Sequence, residues 1–182
     1  LIVVLLCLGG VAWAAGPRVK LETTKGDIVL ELSPQRASRT VANFLHYVED
    51  GFYDGTLFHR VIPGFMIQGG GLTEDMQRKP TRDPIPNEAD NGLKNRRGSI
   101  AMARTGDPHS ATAQFFINTA DNPSLDFRAQ TVQGWGYCVF GRVVQGMEVV
   151  AAIEAVPTGR RAGRADVPRE PVIIRRATVL AP

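Results

Sequence analysis

Residues 58–70 read Phe58-His59-Arg60-Val61-Ile62-Pro63-Gly64-Phe65-Met66-Ile67-Gln68-Gly69-Gly70 and set one cation, Arg60, among β-branched and aromatic neighbours. A Pro63-Gly64 turn follows, then a second apolar run carrying one polar residue, Gln68. A guanidinium keeps its proton at neutral pH. A site built on Arg60 therefore works by hydrogen bonding and fixed charge, not by proton transfer. Strand alternation puts Phe58 and Arg60 on one face, pairs Met66 with Gln68, and pairs Gln114 with Phe116. With these strands side by side, one guanidinium and two amides stand over an apolar floor of Phe65, Met66 and Phe116. That composition suits a small apolar ring beside a carbonyl or amide.

Other chemistries lack their residues. The histidines are His46, His59 and His109; no two have metal-ligand spacing, and no cysteine pair supplies thiolates. No metal and no cofactor is expected. There is no Gly-x-Ser-x-Gly elbow, and Gly69-Gly70-Gly71 lacks the Lys-Ser/Thr of a phosphate loop. Alternation turns His59 away from the face of Arg60, so it is not read as a catalytic base. The net charge of +3 is mild. Its densest cluster, Arg160, Arg161 and Arg164, sits between Gly159 and Gly163 and reads as a solvated loop. It has no interleaved aromatics, so no nucleic-acid partner is expected.

The elements that must hold these residues fit one domain in 182 residues. Residues 1–17 carry no charge, and Ala12-Trp13-Ala14 follows an aliphatic run too short to span a bilayer comfortably. Residues 1–14 read as a cleaved secretory signal peptide and 15–182 as a single domain, periplasmic or secreted. The mature chain then keeps one cysteine, Cys138, which can form no internal disulfide and reads as a small packed hydrophobe. Val19–Thr23 and Asp27–Leu32 alternate around Thr24-Lys25-Gly26, which predicts a hairpin. Ala37, Val41, Phe44, Leu45 and Val48 recur at helical spacing before Gly51. Strands are expected over 56–61, 65–69, 99–103, 115–118, 137–144 and 172–180, and a second helix over 145–154. Residues 71–98 form a long surface loop. The pattern predicts an antiparallel β-barrel with helices covering its ends.

The 58–70 segment resembles the signature of the cyclophilin family of peptidyl-prolyl cis-trans isomerases. Asn87–Leu93, Ile100–Arg104, Gln114–Asn118 and Val139–Val143 resemble further blocks of that family, in the same order along nearly the whole mature chain. With the signal segment, the chain is most similar to the periplasmic bacterial branch. The resemblance implies a mainly β fold, a closed eight-stranded antiparallel barrel capped by two α-helices. It implies an isomerase that accelerates rotation about X-Pro bonds, with Arg60 as the catalytic residue. Phe65, Met66, Phe116 and Leu125 would wall the proline pocket, and Gln68 and Gln114 would orient the peptide. Main-chain groups at Ala103 and Arg104 would hold it extended. Tyr137 stands where other members have histidine, and Arg104 where many have asparagine. The implied partners are proline-containing segments of folding exported proteins, met by a monomer. The other reading is a chaperone or binding module of the same fold that holds such segments without turnover.

Overall fold

The computed structural model describes residues 16–181; the expected signal segment, 1–14, lies outside the described residues. The first strands, β1 (Arg18–Thr23) and β2 (Gly26–Leu32), form the expected hairpin. Thr23 closes its turn with one hydroxyl, donating to the Gly26 carbonyl at 2.7 Å and accepting from the Lys25 amide at 3.0 Å. Helix α1 (Ser38–Glu49) comes next, followed by β3 (Thr56–Ile62), β4 (Met66–Gly69), β5 (Ser99–Met102), β6 (Phe115–Asn118) and β7 (Val139–Gln145). Helix α2 (Met147–Glu154), a short hairpin of β8 (Thr158–Arg161) and β9 (Arg164–Pro168), and β10 (Ile173–Leu180) complete the chain.

Eight strands close into an antiparallel barrel in the order β1-β10-β3-β4-β6-β5-β7-β2. The last strand zips along the N-terminal hairpin, from Arg18 opposite Leu180 to Thr23 opposite Ile174. Closure removes the free strand edges that would otherwise template aggregation. The interior fills with Leu21, Ile28, Leu30, Ile67, Phe115, Ile117 and their neighbours. Helix α1 sends Phe44 into that core, its ring 5.2 Å from Tyr53 and from Phe140 and edge-on to Phe115 at 5.7 Å. Helix α2 contributes Val150 and Ile153. No helix among the described residues is long and apolar enough to cross a membrane.

Three expectations are corrected. The second helix begins at Met147, because Gly146 before it is left-handed (φ 92°). The segment around Arg160, Arg161 and Arg164 is no irregular loop but the β8–β9 hairpin, turning at Ala162-Gly163. Its residues carry no apolar alternation, so the pattern hid it; Val167 anchors it against Leu57, Leu72 and Met76. The third correction matters most for the site. Strand β3 has a β-bulge: Phe58 pairs with Gly69 and Arg60 with Gln68, leaving His59 as the extra residue. Phe58 and Arg60 therefore face opposite sides, Phe58 into the core against Phe115 and Arg60 outward.

The long 71–98 segment is irregular, as expected, yet tied down. The residue before α1, Ala37, has no capping side chain. Glu88 supplies the cap from the distant loop, accepting from the Thr40 amide at 2.8 Å, the Thr40 hydroxyl at 2.7 Å and the Arg39 amide at 3.3 Å. A carboxylate there satisfies orphan amides and complements the helix dipole. Glu88→Ala is expected to lower stability by about 1–2 kcal/mol, read as a shifted urea midpoint at constant slope. An unchanged midpoint would contradict this role for Glu88.

Candidate active site

Outside the barrel, the wall made by β4, β6, β5 and β7 carries a second apolar cluster. Met66, Ala101, Phe116 and Val139 are buried there, with Phe65, Leu125 and Tyr137 packed against them. Strand pairing explains the grouping. Gln68 lies opposite Phe116, and Phe116 opposite Ala101, so alternate residues of adjacent strands share the outer face. The inner-face neighbours, Phe115 and Ile117, belong to the barrel core.

A pocket of about 100 Å³ opens over this cluster, lined by Arg60, Phe65, Met66, Gln68, Ala103, Arg104, Phe116, Leu125 and Tyr137. Every residue expected at the site is in its lining except Gln114. Gln114 sits one step away, accepting a hydrogen bond from the Gln68 amide at 3.1 Å, while its carbonyl accepts from the Ala103 amide at 3.0 Å. The pocket is of a size that suits one small ring. Arg60 is exposed at its rim, brought there by the bulge. Gly64 has a left-handed backbone (φ 72°) in the turn that swings Phe65 to the pocket wall. Its amide donates to the Glu154 carboxylate of α2 at 2.6 Å, which ties this turn to the helix.

Sequence reasoning missed what supports the walls. Asn118, fully buried, donates to the Asn95 side-chain carbonyl at 3.2 Å and to the Ser99 hydroxyl at 2.9 Å, and accepts from Asn122 at 2.7 Å. Asn122 also donates to the Phe65 carbonyl at 2.8 Å. Asn95 donates to the Leu125 carbonyl at 3.1 Å, and its main-chain amide donates to the Asp126 carboxylate at 2.7 Å. Three asparagines, Asn118 and Asn122 from one stretch and Asn95 from a distant one, thus hold the backbones of two pocket walls. A fully satisfied buried polar network rigidifies what it touches. Asn118 closes the Gln114–Asn118 block and Asn95 follows the 87–93 block, so the motifs bordered the network without disclosing its bonds.

The departures at Arg104 and Tyr137 are coupled. The Arg104 guanidinium lies 4.5 Å from the Tyr137 ring centroid and donates to the Gly136 carbonyl at 3.0 Å. Tyr137 in turn packs edge-on against Phe116 at 5.6 Å. The Arg104 side chain therefore holds one aromatic wall in place.

No other chemistry is assembled nearby. His46 is exposed on α1, and His109 accepts from the Asn87 amide and packs against Trp135. Among the described residues, no cluster of His, Cys, Asp and Glu could hold a metal ion. Cys138 is buried, 3.5 Å from the Thr40 hydroxyl, and burial pushes its thiol up to about 11, as suits a packed and unreactive group. His59 needs a further correction: the bulge turns it to the same side as Arg60, where it lines a neighbouring cleft but not the ring pocket. Burial, reinforced by the Arg164, Arg60 and Arg78 charges, lowers its pKa to about 4.

Comparison with known proteins agrees with this geometry. Residues 18–179 match the model of the cyclophilin type peptidyl-prolyl cis-trans isomerases. The chain is 60% identical over 162 residues to the peptidyl-prolyl cis-trans isomerase cyp18 of Streptomyces antibioticus, covering 89% of this chain and 98% of that one. It is 58% identical over 161 residues to peptidyl-prolyl cis-trans isomerase B of Escherichia coli, covering 88% and 98%. Among solved structures, a cyclophilin type isomerase of Cryptosporidium parvum superposes with a TM-score of 0.75 at 28% identity, covering 91% of this chain and 98% of that one.

The His59 shift makes a pH prediction. The unfolded chain binds a proton near pH 6.5, whereas the folded chain resists protonation down to about 4. Stability from His59 is fully present above pH 6.5 and is lost as pH falls toward 4, on the order of 3 kcal/mol in all. Denaturation from pH 7 to 4 should show this slope, and His59→Gln should flatten it. Turnover should stay level between about pH 6 and 9, because a site built on a fixed guanidinium charge transfers no proton. A limb in kcat/KM near pH 6.5 that His59→Gln removes would make His59 a participant instead.

Proposed function

The chain belongs to the cyclophilin-type peptidyl-prolyl cis-trans isomerases, and from that premise we propose how its site works and where it serves. The reaction turns an X-Pro peptide bond through its twisted form without breaking any bond. Amide resonance sets a barrier of about 20 kcal/mol, so the free reaction takes tens of seconds to minutes. Reaching about 10³ turnovers per second requires lowering that barrier by roughly 7 kcal/mol.

The observation that carries the mechanism is the placement of one exposed guanidinium, Arg60, at the rim of a ring-sized apolar pocket. In the planar ground states the prolyl nitrogen shares its lone pair with the carbonyl. In the twisted state it regains that pair and becomes a hydrogen-bond acceptor. A guanidinium N–H aimed there favours the twisted state over both planar ones, which is the differential binding that catalysis requires. Phe65, Met66, Phe116 and Leu125 grip the ring. Gln68 and Gln114 orient the adjoining carbonyl, and main-chain groups at Ala103 and Arg104 keep the peptide extended. Neither nucleophile nor base enters the scheme.

Arg60→Ala should fold normally, since the side chain is exposed, and should lose more than tenfold in kcat/KM, equivalent to more than about 1.4 kcal/mol. Arg60→Lys should rescue poorly, because a point charge on a flexible stem does not reproduce the planar fork. A folded Arg60→Ala enzyme of undiminished activity in a proline-limited refolding assay would refute the assignment.

The activity serves proteins folding outside the cytoplasm. Support for this is the charge-free aliphatic start of the chain and its Ala12-Trp13-Ala14 site. Intact mass of the protein recovered from the periplasm should lack residues 1–14. A species that retains Leu1 would count against export by a cleaved signal.

A further inference from the structure

Beside the ring pocket lies a larger cleft of about 510 Å³. Four of its lining residues are arginines, Arg60, Arg78, Arg104 and Arg164, and none is Asp or Glu. They come from separate parts of the chain: β3, the loop after β4, the segment just after β5 and the start of β9. Among the described residues, none of the four has a carboxylate within ion-pair distance. Asp107 and Asp166 are close to lining residues in sequence, yet neither lines the cleft. His59, 4% exposed, lines the same cleft, and its buried Nδ1 has no hydrogen-bond partner. Burial first, and then the charges of Arg164, Arg60 and Arg78, disfavour protonation of its ring, and all three arginines share its cleft. Like charges so gathered, without a counter-charge of their own, repel one another until an anion joins them.

The occupant follows from continuity. The cleft and the ring pocket share Arg60, Gln68, Ala103 and Arg104, so a peptide seated in one runs into the other. An extended chain advances roughly 3.3 Å per residue, which brings a side chain near the proline within reach. We propose that this cleft is a subsite for an acidic side chain, Asp or Glu, carried by the client one to three residues from its proline, so that the enzyme selects prolyl bonds in acidic contexts. The proposal rests on the ring pocket being the proline site.

The test uses neutral peptides with a single proline. Glu is placed in turn at each of the three positions before and after it, each peptide paired with a Gln control, and kcat/KM is read by exchange NMR. In low-salt buffer, Glu should exceed Gln by about tenfold at one or more positions. The ratio should fall toward one at about 0.5 M salt and in the Arg78→Gln/Arg164→Gln double variant. Arg78 is exposed, so Arg78→Gln alone should fold, and should cut the ratio about threefold. A Glu-to-Gln ratio within about twofold of one at every position, with the Gln peptides turned over, would overturn the subsite while leaving the proline site standing. A preference that survives both variants would overturn its assignment to these arginines. Failure to turn over any peptide would overturn the reading of the ring pocket and the subsite with it.

Discussion

The structure depends on one stretch of barrel wall that buries both of its faces. All four positions of β5 and all four of β6 are buried, and in β4 only Gln68 is partly open. The inner face packs the barrel; the outer face supplies the floor of the pocket. A wall of this kind cannot shift register, because a slip of one residue would exchange core for pocket. The catalytic surface thus inherits the rigidity of the hydrophobic core a few ångströms behind it.

An apolar floor needs walls, and walls made of loop carry backbone groups that must be satisfied. The Asn95–Asn118–Asn122 network meets that demand, binding the carbonyls of Phe65 and Leu125 from beneath. The β3 bulge performs the complementary task. It sends Phe58 inward while bringing Arg60 outward to the rim, across the ladder from Gln68. A fixed charge then stands beside an apolar ring pocket, which is the arrangement that stabilising a transient lone pair requires.

The barrel was legible wherever alternation was clean. The β1–β2 hairpin, the Phe115–Asn118 strand and the Val41, Phe44 and Val48 stripe of α1 all appear where their spacing puts them. The bulge was not legible, because Phe58, His59 and Arg60 read as ordinary alternation. Only the pairing with Gly69 and Gln68 reveals the extra residue. Hidden for the same reason were the Glu88 cap, 48 residues from Thr40, and the asparagine network. Both rest mainly on long-range bonds between groups with no periodicity of their own. Alternation and composition grouped Arg60, Phe65, Met66, Gln68 and Phe116; Ala103, Arg104, Leu125 and Tyr137 came from motif resemblance. Gln114, grouped by alternation, meets the pocket through Gln68 and not through the lining.

The central claim is that Arg60 acts on the twisted state and not on the resting peptide. Line-shape NMR of a proline peptide bound to saturation separates the two, reporting affinity and on-enzyme exchange in one titration. Arg60→Ala should leave the peptide dissociation constant within about threefold of the parent while slowing cis-trans exchange on the enzyme more than tenfold. Exchange that persists in the bound variant, or a loss of exchange accounted for wholly by weaker binding, would contradict the account.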